Sequence, residues 1–295
     1  MRIRKLLAFG LITSCLLTGC VDQSQGANST SSSSQDTKII ATSVSVTEIC
    51  DKLELDLIGV PQSSISTLPE RYEGVTTIGT AMSPDMELVG SMNPDWVISP
   101  VSLRSDLQPK YEEIHSEYAF VNLNSVWGMY KSIQELGKLF DRQEQAEALV
   151  DEFVSYYDEY QSKNKEKKSP KVLILMGLPG SYVVATDNSY VGSLVKMAGG
   201  ENVFGSEEGD FVNINTEEIA KSNPDVILRA SHAMPEQVSE MFAQEFETND
   251  IWKHFDAVKN GKVYDLPNGQ FGMSANFQYQ DALETLQIIL YGEEL

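Results

Sequence analysis

A near-repeat 130 positions apart constrains this chain more than any other feature. Residues 82–99 read MSPDMELVGSMNPDWVIS, and residues 212–229 read VNINTEEIAKSNPDVILR. Both copies place Glu at the sixth position, Glu87 and Glu217, and both reach Asn-Pro-Asp before an apolar run. Each copy has the pattern of a short amphipathic helix, a stop containing proline, and a buried strand. A chain that builds one such unit in each half is expected to form two similar lobes with something held between them.

The N-terminus adds a destination. Arg2, Arg4 and Lys5 precede an apolar stretch, 6–17, too short to remain as a membrane span, which fits a signal peptide. It ends in Leu17-Thr18-Gly19-Cys20, which resembles the lipobox of bacterial lipoproteins, with Cys20 as the lipidated first residue of the mature chain. A Ser-rich stretch follows that cannot bury apolar area and is expected to act as a tether. Of the three cysteines, Cys15 leaves with the signal, Cys20 carries lipid, and Cys50 is alone in an apolar helical pattern, where it suits a buried small hydrophobe. No disulfide framework is available. The net charge is −21, and removal of the signal makes the mature chain more acidic still. Such a surface disfavours nucleic acid and anionic lipid as partners.

Strands and helices then alternate. Strands are expected at 38–41, 57–60, 75–78, 96–99 and 118–123. Helices are expected from the Ser45-Val46-Thr47-Glu48 capping box to about Leu55, from Ser83-Pro84-Asp85 as cap and first turn, and near 108–117. The middle is helical: Met129, Ile133, Leu136 and Phe140 share a face, and a second helix runs from Asp141 to about Lys165, a rod of roughly 35 Å. After Pro170 the pattern restarts, with strands at 171–177, 182–186, 225–230 and 262–266, and a closing helix at 282–290. The expected class is α/β, two Rossmann-like lobes with parallel-type sheets joined by one long helix. The expected divisions are 1–19 signal, 20–37 tether, 38–125 first lobe, 126–168 linking helices and 169–295 second lobe.

Ligands of open parallel sheets bind beyond the carboxyl ends of the strands. That rule sorts the three histidines. His115 and His254 lie before strands, away from any crevice, whereas His232 directly follows strand 225–230. Among the methionines, Met82 and Met273 also follow strands, and Met86 lies one turn beyond Met82. One imidazole and one thioether do not make a zinc site. They suit haem iron, whose macrocycle leaves two axial positions. Tyr182, Tyr190 and Phe271 fall in candidate crevice loops, and the N–H groups at Ser45, Val46 and Thr47 suit a carboxylate. Nucleophile elbows, Walker loops and supported Cys–His pairs are absent from the sequence.

The lipobox, the paired Asn-Pro-Asp units, the linking helix and the segment KNGKVYDLPNG at 259–269 resemble the substrate-binding lipoproteins of iron-complex ABC importers, over essentially all of the mature chain. Ala81-Met82-Ser83-Pro84-Asp85 and Ser231-His232-Ala233-Met234-Pro235 are similar to the axial-ligand segments of the haem-binding lipoproteins of iron-regulated surface determinant importers. The resemblance implies Met82 and His232 as axial ligands, with Met86 and Met273 as alternatives to Met82. It implies docking on the permease through Glu87 and Glu217, with Glu218 a neighbouring alternative. It further implies an upstream surface protein that donates haem, a monomer held at the outer face of the cytoplasmic membrane by Cys20, and no catalysis. Two other outcomes share the pattern. A ferric siderophore or corrinoid would call on Arg71 and Arg229, and a chelatase-like enzyme would turn porphyrin over.

Overall fold

The computed structural model describes residues 37–63 and 66–292; the signal, Cys20 and most of the Ser-rich stretch lie outside them. The first lobe opens with β1 (Ile39–Ala41) and α1 (Val44–Lys52). The Ser43 hydroxyl accepts the Val46 N–H at 3.3 Å, so the cap lies two residues before the expected one and Ser45 lies in the first turn. Then come β2 (Leu57–Val60), β3 (Thr76–Thr77), β4 (Gly79–Thr80), β5 (Ser83–Pro84), α2 (Met86–Ser91), β6 (Trp96–Pro100), α3 (Arg104–Glu113) and β7 (Glu117–Val121). The five strands β3-β2-β1-β6-β7 form one all-parallel sheet. Contrary to the expectation from sequence, Ser83 and Pro84 do not open a helix. They pair with β4 in a two-residue hairpin, and Asp85 caps α2 by accepting the Leu88 N–H at 3.0 Å.

Two helices follow, α4 (Val126–Leu139) and α5 (Gln143–Asn164). Asp141, at φ 55°, breaks them apart. Gly137 lets them approach closely: a Cβ there would lie 2.6 Å from that of Ala146.

The second lobe contains β8 (Lys171–Leu178), β9 (Ser181–Ala185), α6 (Tyr190–Met197), β10 (Glu201–Asn202), β11 (Phe211–Val212), α7 (Thr216–Ser222), β12 (Val226–Ser231), α8 (Pro235–Thr248), α9 (Asp256–Lys259), β13 (Val263–Asp265) and α10 (Tyr279–Tyr291). Its sheet is mixed rather than wholly parallel. β10, β12 and β13 run parallel with β8, but β9 turns back antiparallel and carries β11. The cause is local: Pro179-Gly180 joins Leu178 to Ser181, and Gly180 at φ 83° supplies the left-handed position of a tight turn.

The near-repeat is one structure built twice. Asn93 and Asn223 close α2 and α7 at φ 47° and 43°, in the left-handed region that Asn tolerates. Pro94 and Pro224 are both buried. Asp95 and Asp225 then each accept, at 2.8 Å, the backbone N–H that starts the lobe's first strand, from Lys38 and Lys171.

One apolar cluster extends through both lobes. It contains Ile39 and Val46 from the first, Phe153 and Tyr157 from α5, and Leu194 and Leu283 from the second. Tyr130 stacks on Phe153 with centroids 4.3 Å apart, and its hydroxyl donates to that of Tyr279 at 3.2 Å. Tyr160 donates to the Leu283 carbonyl at 3.2 Å, and the Ala275 N–H bonds the Leu123 carbonyl at 2.8 Å. The linking helix is therefore packed along its apolar face, not a free rod. Each lobe also has a core of its own, around Ile78 and Tyr111 in the first and around Phe242 and Trp252 in the second.

Candidate functional site

A cleft of about 720 Å³ opens between the carboxyl ends of the two sheets. The first lobe lines it with Val44, Ser45 and Glu48 of α1 and with Ser63, Ser66 and Thr67 beyond β2. The second lobe contributes His232 and Pro235 beyond β12, and Asn268, Gly269, Gly272, Met273, Ser274, Asn276 and Gln278 beyond β13. The volume falls in the range of small-molecule sites.

His232 is held from the backbone. Its N–H bonds the Gly177 carbonyl at 3.0 Å, while Asn268 donates to the carbonyl of the preceding Ser231 at 2.7 Å. The ring is half-buried, and its Nδ1 is buried without a hydrogen bond. Met234 then takes a left-handed turn, φ 49°, and Pro235 starts α8. The rigid carboxyl end of a central strand thus presents an imidazole committed to no protein acceptor. Met273 lies 38% exposed in the same cleft.

Met82 sits at the tip of the β4–β5 hairpin, 71% exposed and outside the residues that line the cleft. The hairpin is nonetheless tied to the cleft wall: Gln62, next to Ser63, donates its N–H to the Gly79 carbonyl at 2.7 Å. Met86 packs against the private core of the first lobe. At the start of α1, Ser45 faces the cleft but Val46 and Thr47 are buried, and the Thr47 hydroxyl is spent on the Ser43 carbonyl at 2.9 Å. The first turn leaves N–H groups without helical partners. Ser43 caps that of Val46, so those of Val44 and Ser45 remain beside the cleft.

Three aromatic expectations fail. Tyr182 turns with β9 onto the far core, against Phe242 and Trp252, and donates to Glu245 at 3.2 Å. Phe271 is fully buried by the turn in which its N–H returns to the Pro267 carbonyl. Tyr190, the first residue of α6, is 1% exposed, with its hydroxyl buried beside the Asn276 backbone. His115 and His254 are exposed and away from the cleft, and Cys50 is buried, its thiol pushed up to about 12 by desolvation.

A family model described as periplasmic binding protein matches residues 39–269. The chain belongs to that family. The high-affinity heme uptake system protein IsdE of Staphylococcus aureus strain Newman is 44% identical over 295 residues, the whole of both chains. The crystal structure of S. aureus IsdE complexed with heme matches with a TM-score of 0.81 and 45% identity, covering 86% of this chain and 99% of that one. An ABC transporter substrate-binding protein from Listeria monocytogenes EGD-e matches with a TM-score of 0.83 and 46% identity, covering 88% and 100%.

Within this family member, Glu87 and Glu217 occupy equivalent places. Each is exposed and second in its helix, behind the caps Asp85 and Asn215. Glu218 is exposed beside Glu217. Sequence reasoning missed Glu48 and the wall made by Ser63, Ser66 and Thr67. The strand-end rule, applied to β2 as it was to β12, points to that wall. Glu48 follows from Val44 and Ser45 by helical spacing, one turn on along the same face.

Proposed function

We propose that this protein is the substrate-binding component of a haem importer, which holds haem in the interlobe cleft and delivers it to an ABC permease. The full-length similarity to IsdE carries the reading, and the cleft with His232 at its edge supplies the place. Haem iron takes one ligand from each lobe. With Nδ1 of His232 buried, Nε2 is the nitrogen open to iron. Met273 and His232 both come from the second lobe, in the loops beyond β13 and β12, whereas a clamp between lobes takes one ligand from each. Met82 stands on the other lobe and is the axial thioether; Met86 is engaged in the core. The first turn of α1, at Val44 and Ser45, receives a propionate.

The molecule binds without turnover, as a monomer anchored through Cys20 at the outer face of the membrane, and takes haem from a surface donor. Glu87 and Glu217 sit on basic groups of the permease. No observation favours a siderophore. Arg71 pairs with Asp56 at 2.8 Å on the surface. Arg229 is clamped by Asp265 at 2.7 and 2.6 Å and lies over Phe242 and Phe246. Neither arginine lines the cleft. Titration of the purified protein with haem is expected to give a six-coordinate absorption spectrum at one haem per chain. A five-coordinate spectrum, or no shift of the haem bands, overturns the two-ligand clamp.

A further inference from the structure

Among the described residues, buried side-chain polar atoms with no hydrogen-bond partner include Oε2 of Glu48, Nδ1 of His232 and Oε1 of Gln287. Buried polar groups are nearly always paired, so each exception calls for an explanation. Two of these, Glu48 and His232, line the haem cleft. The Tyr190 hydroxyl lies close enough to Glu48 to feel its charge.

Glu48 is the one carboxyl group among the described lining residues, and no Lys or Arg stands with it. The groups that face it can be followed element by element. On α1, Lys52 is one turn on, and its ammonium lies over the Phe277 ring, 5.8 Å from the centroid. From α6 comes the neutral Tyr190 hydroxyl, and from the loop beyond β12 comes His232. The loop beyond β2 offers Ser63, Ser66 and Thr67, and the loop beyond β13 offers uncharged residues only. Burial already raises the Glu48 carboxyl above its ordinary range, against the smaller opposing pull of Lys52.

Haem brings two carboxylates of its own. A propionate drawn to Val44 and Ser45 arrives one helical turn from Glu48, in a cavity with no cationic side chain to separate the two charges. Like charges in one site cannot both stay ionised cheaply, and the usual resolution is a shared proton. We propose that Glu48 is protonated in the loaded state and donates a hydrogen bond to a haem propionate, so that loading takes up one proton from solvent. The proposal rests on the haem reading above. The glutamate, drawn in as a neutral acid, becomes a positioning residue that selects a macrocycle with a free carboxylate.

The test is calorimetric titration of the purified full chain with ferric haem, in buffers of different ionisation enthalpy, between about pH 7 and 9, where an ordinary imidazole is neutral. The native protein is expected to take up about one proton per haem, and its affinity to fall up to about tenfold per pH unit. Glu48→Gln keeps shape and neutral donor. It is expected to bind with no linked proton and a flat pH profile. Haem dimethyl ester, which has no free propionate, is expected to bind the native protein more weakly and without proton uptake. Equal proton uptake by native and Glu48→Gln overturns the proposal alone. Failure of both proteins to bind haem overturns the haem reading and the proposal together.

Discussion

The two Asn-Pro-Asp units share their internal geometry and differ in what stands beside them. In the first lobe the neighbour is a hairpin that precedes α2 and holds Met82 out at 71% exposure. In the second it is the loop after β12, which holds a half-buried His232 by a backbone bond to Gly177. One lobe offers a thioether on a tip, the other an imidazole on a braced strand end. Positions fixed before the ligand arrives cost less to order on binding, so if the proposed clamp holds, the second lobe is expected to be the stronger partner.

The largest effect tests whether the halves are separate at all. Phe153→Ala empties the ring stack shared by α4, α5 and α10, and is expected to lower stability by about 3–5 kcal/mol. Denaturant unfolding followed by fluorescence and by circular dichroism should stay coincident. Two resolved transitions would mean that the lobes do not share a core.

Ligand effects come next and should be unequal. His232→Ala is expected to weaken haem binding at least about a hundredfold, and Met82→Ala about tenfold, roughly 2.7 and 1.4 kcal/mol. Titration followed in the absorption spectrum reads both. The reverse order would assign the stronger hold to the hairpin. A smaller and equal pair tests the repeat itself. Asp95→Ala and Asp225→Ala each remove one charge-assisted bond to a strand-starting N–H, and each should cost about 1 kcal/mol. A clear difference in their denaturation midpoints would show that the units bear unequal load. The smallest expected effect is none: Glu87→Ala with Glu217→Ala leaves haem affinity unchanged while uptake by cells is lost. Loss of affinity would place these carboxylates in the binding site instead of on the permease.

The alternation of strands and helices was legible because the buried strands are continuous apolar runs, as in Val172 to Met176, and because the stops carry Asn, Pro and Gly. The repeat was legible because its Asp side chains do the same local job twice. The β8–β9 reversal was visible as a turn at Pro179-Gly180, but not its consequence, since the direction of the next strand is set by tertiary pairing. The aromatic expectations failed for a related reason. Tyr182 follows the β8–β9 turn and Phe271 lies in the loop beyond β13, but which face a ring takes depends on what packs there, and both found apolar partners. The strand-end rule selected His232, Met273 and Met82 alike; the first two line the cleft, whereas Met82 stands on the β4–β5 hairpin outside the lining residues. Glu48 escaped notice because a Glu in a capping-box pattern has a ready local explanation, which the Ser43 cap displaces.

The Tyr130–Phe153–Tyr279 stack has a consequence for traffic at the membrane. Receptors that snap shut tell their transporter by shape whether cargo is aboard. Lobes welded through a common aromatic seam have no such flag to raise. On the proposed haem reading, arrival of the cargo is expected to register as small local changes at the cleft mouth rather than as closure of one lobe on the other.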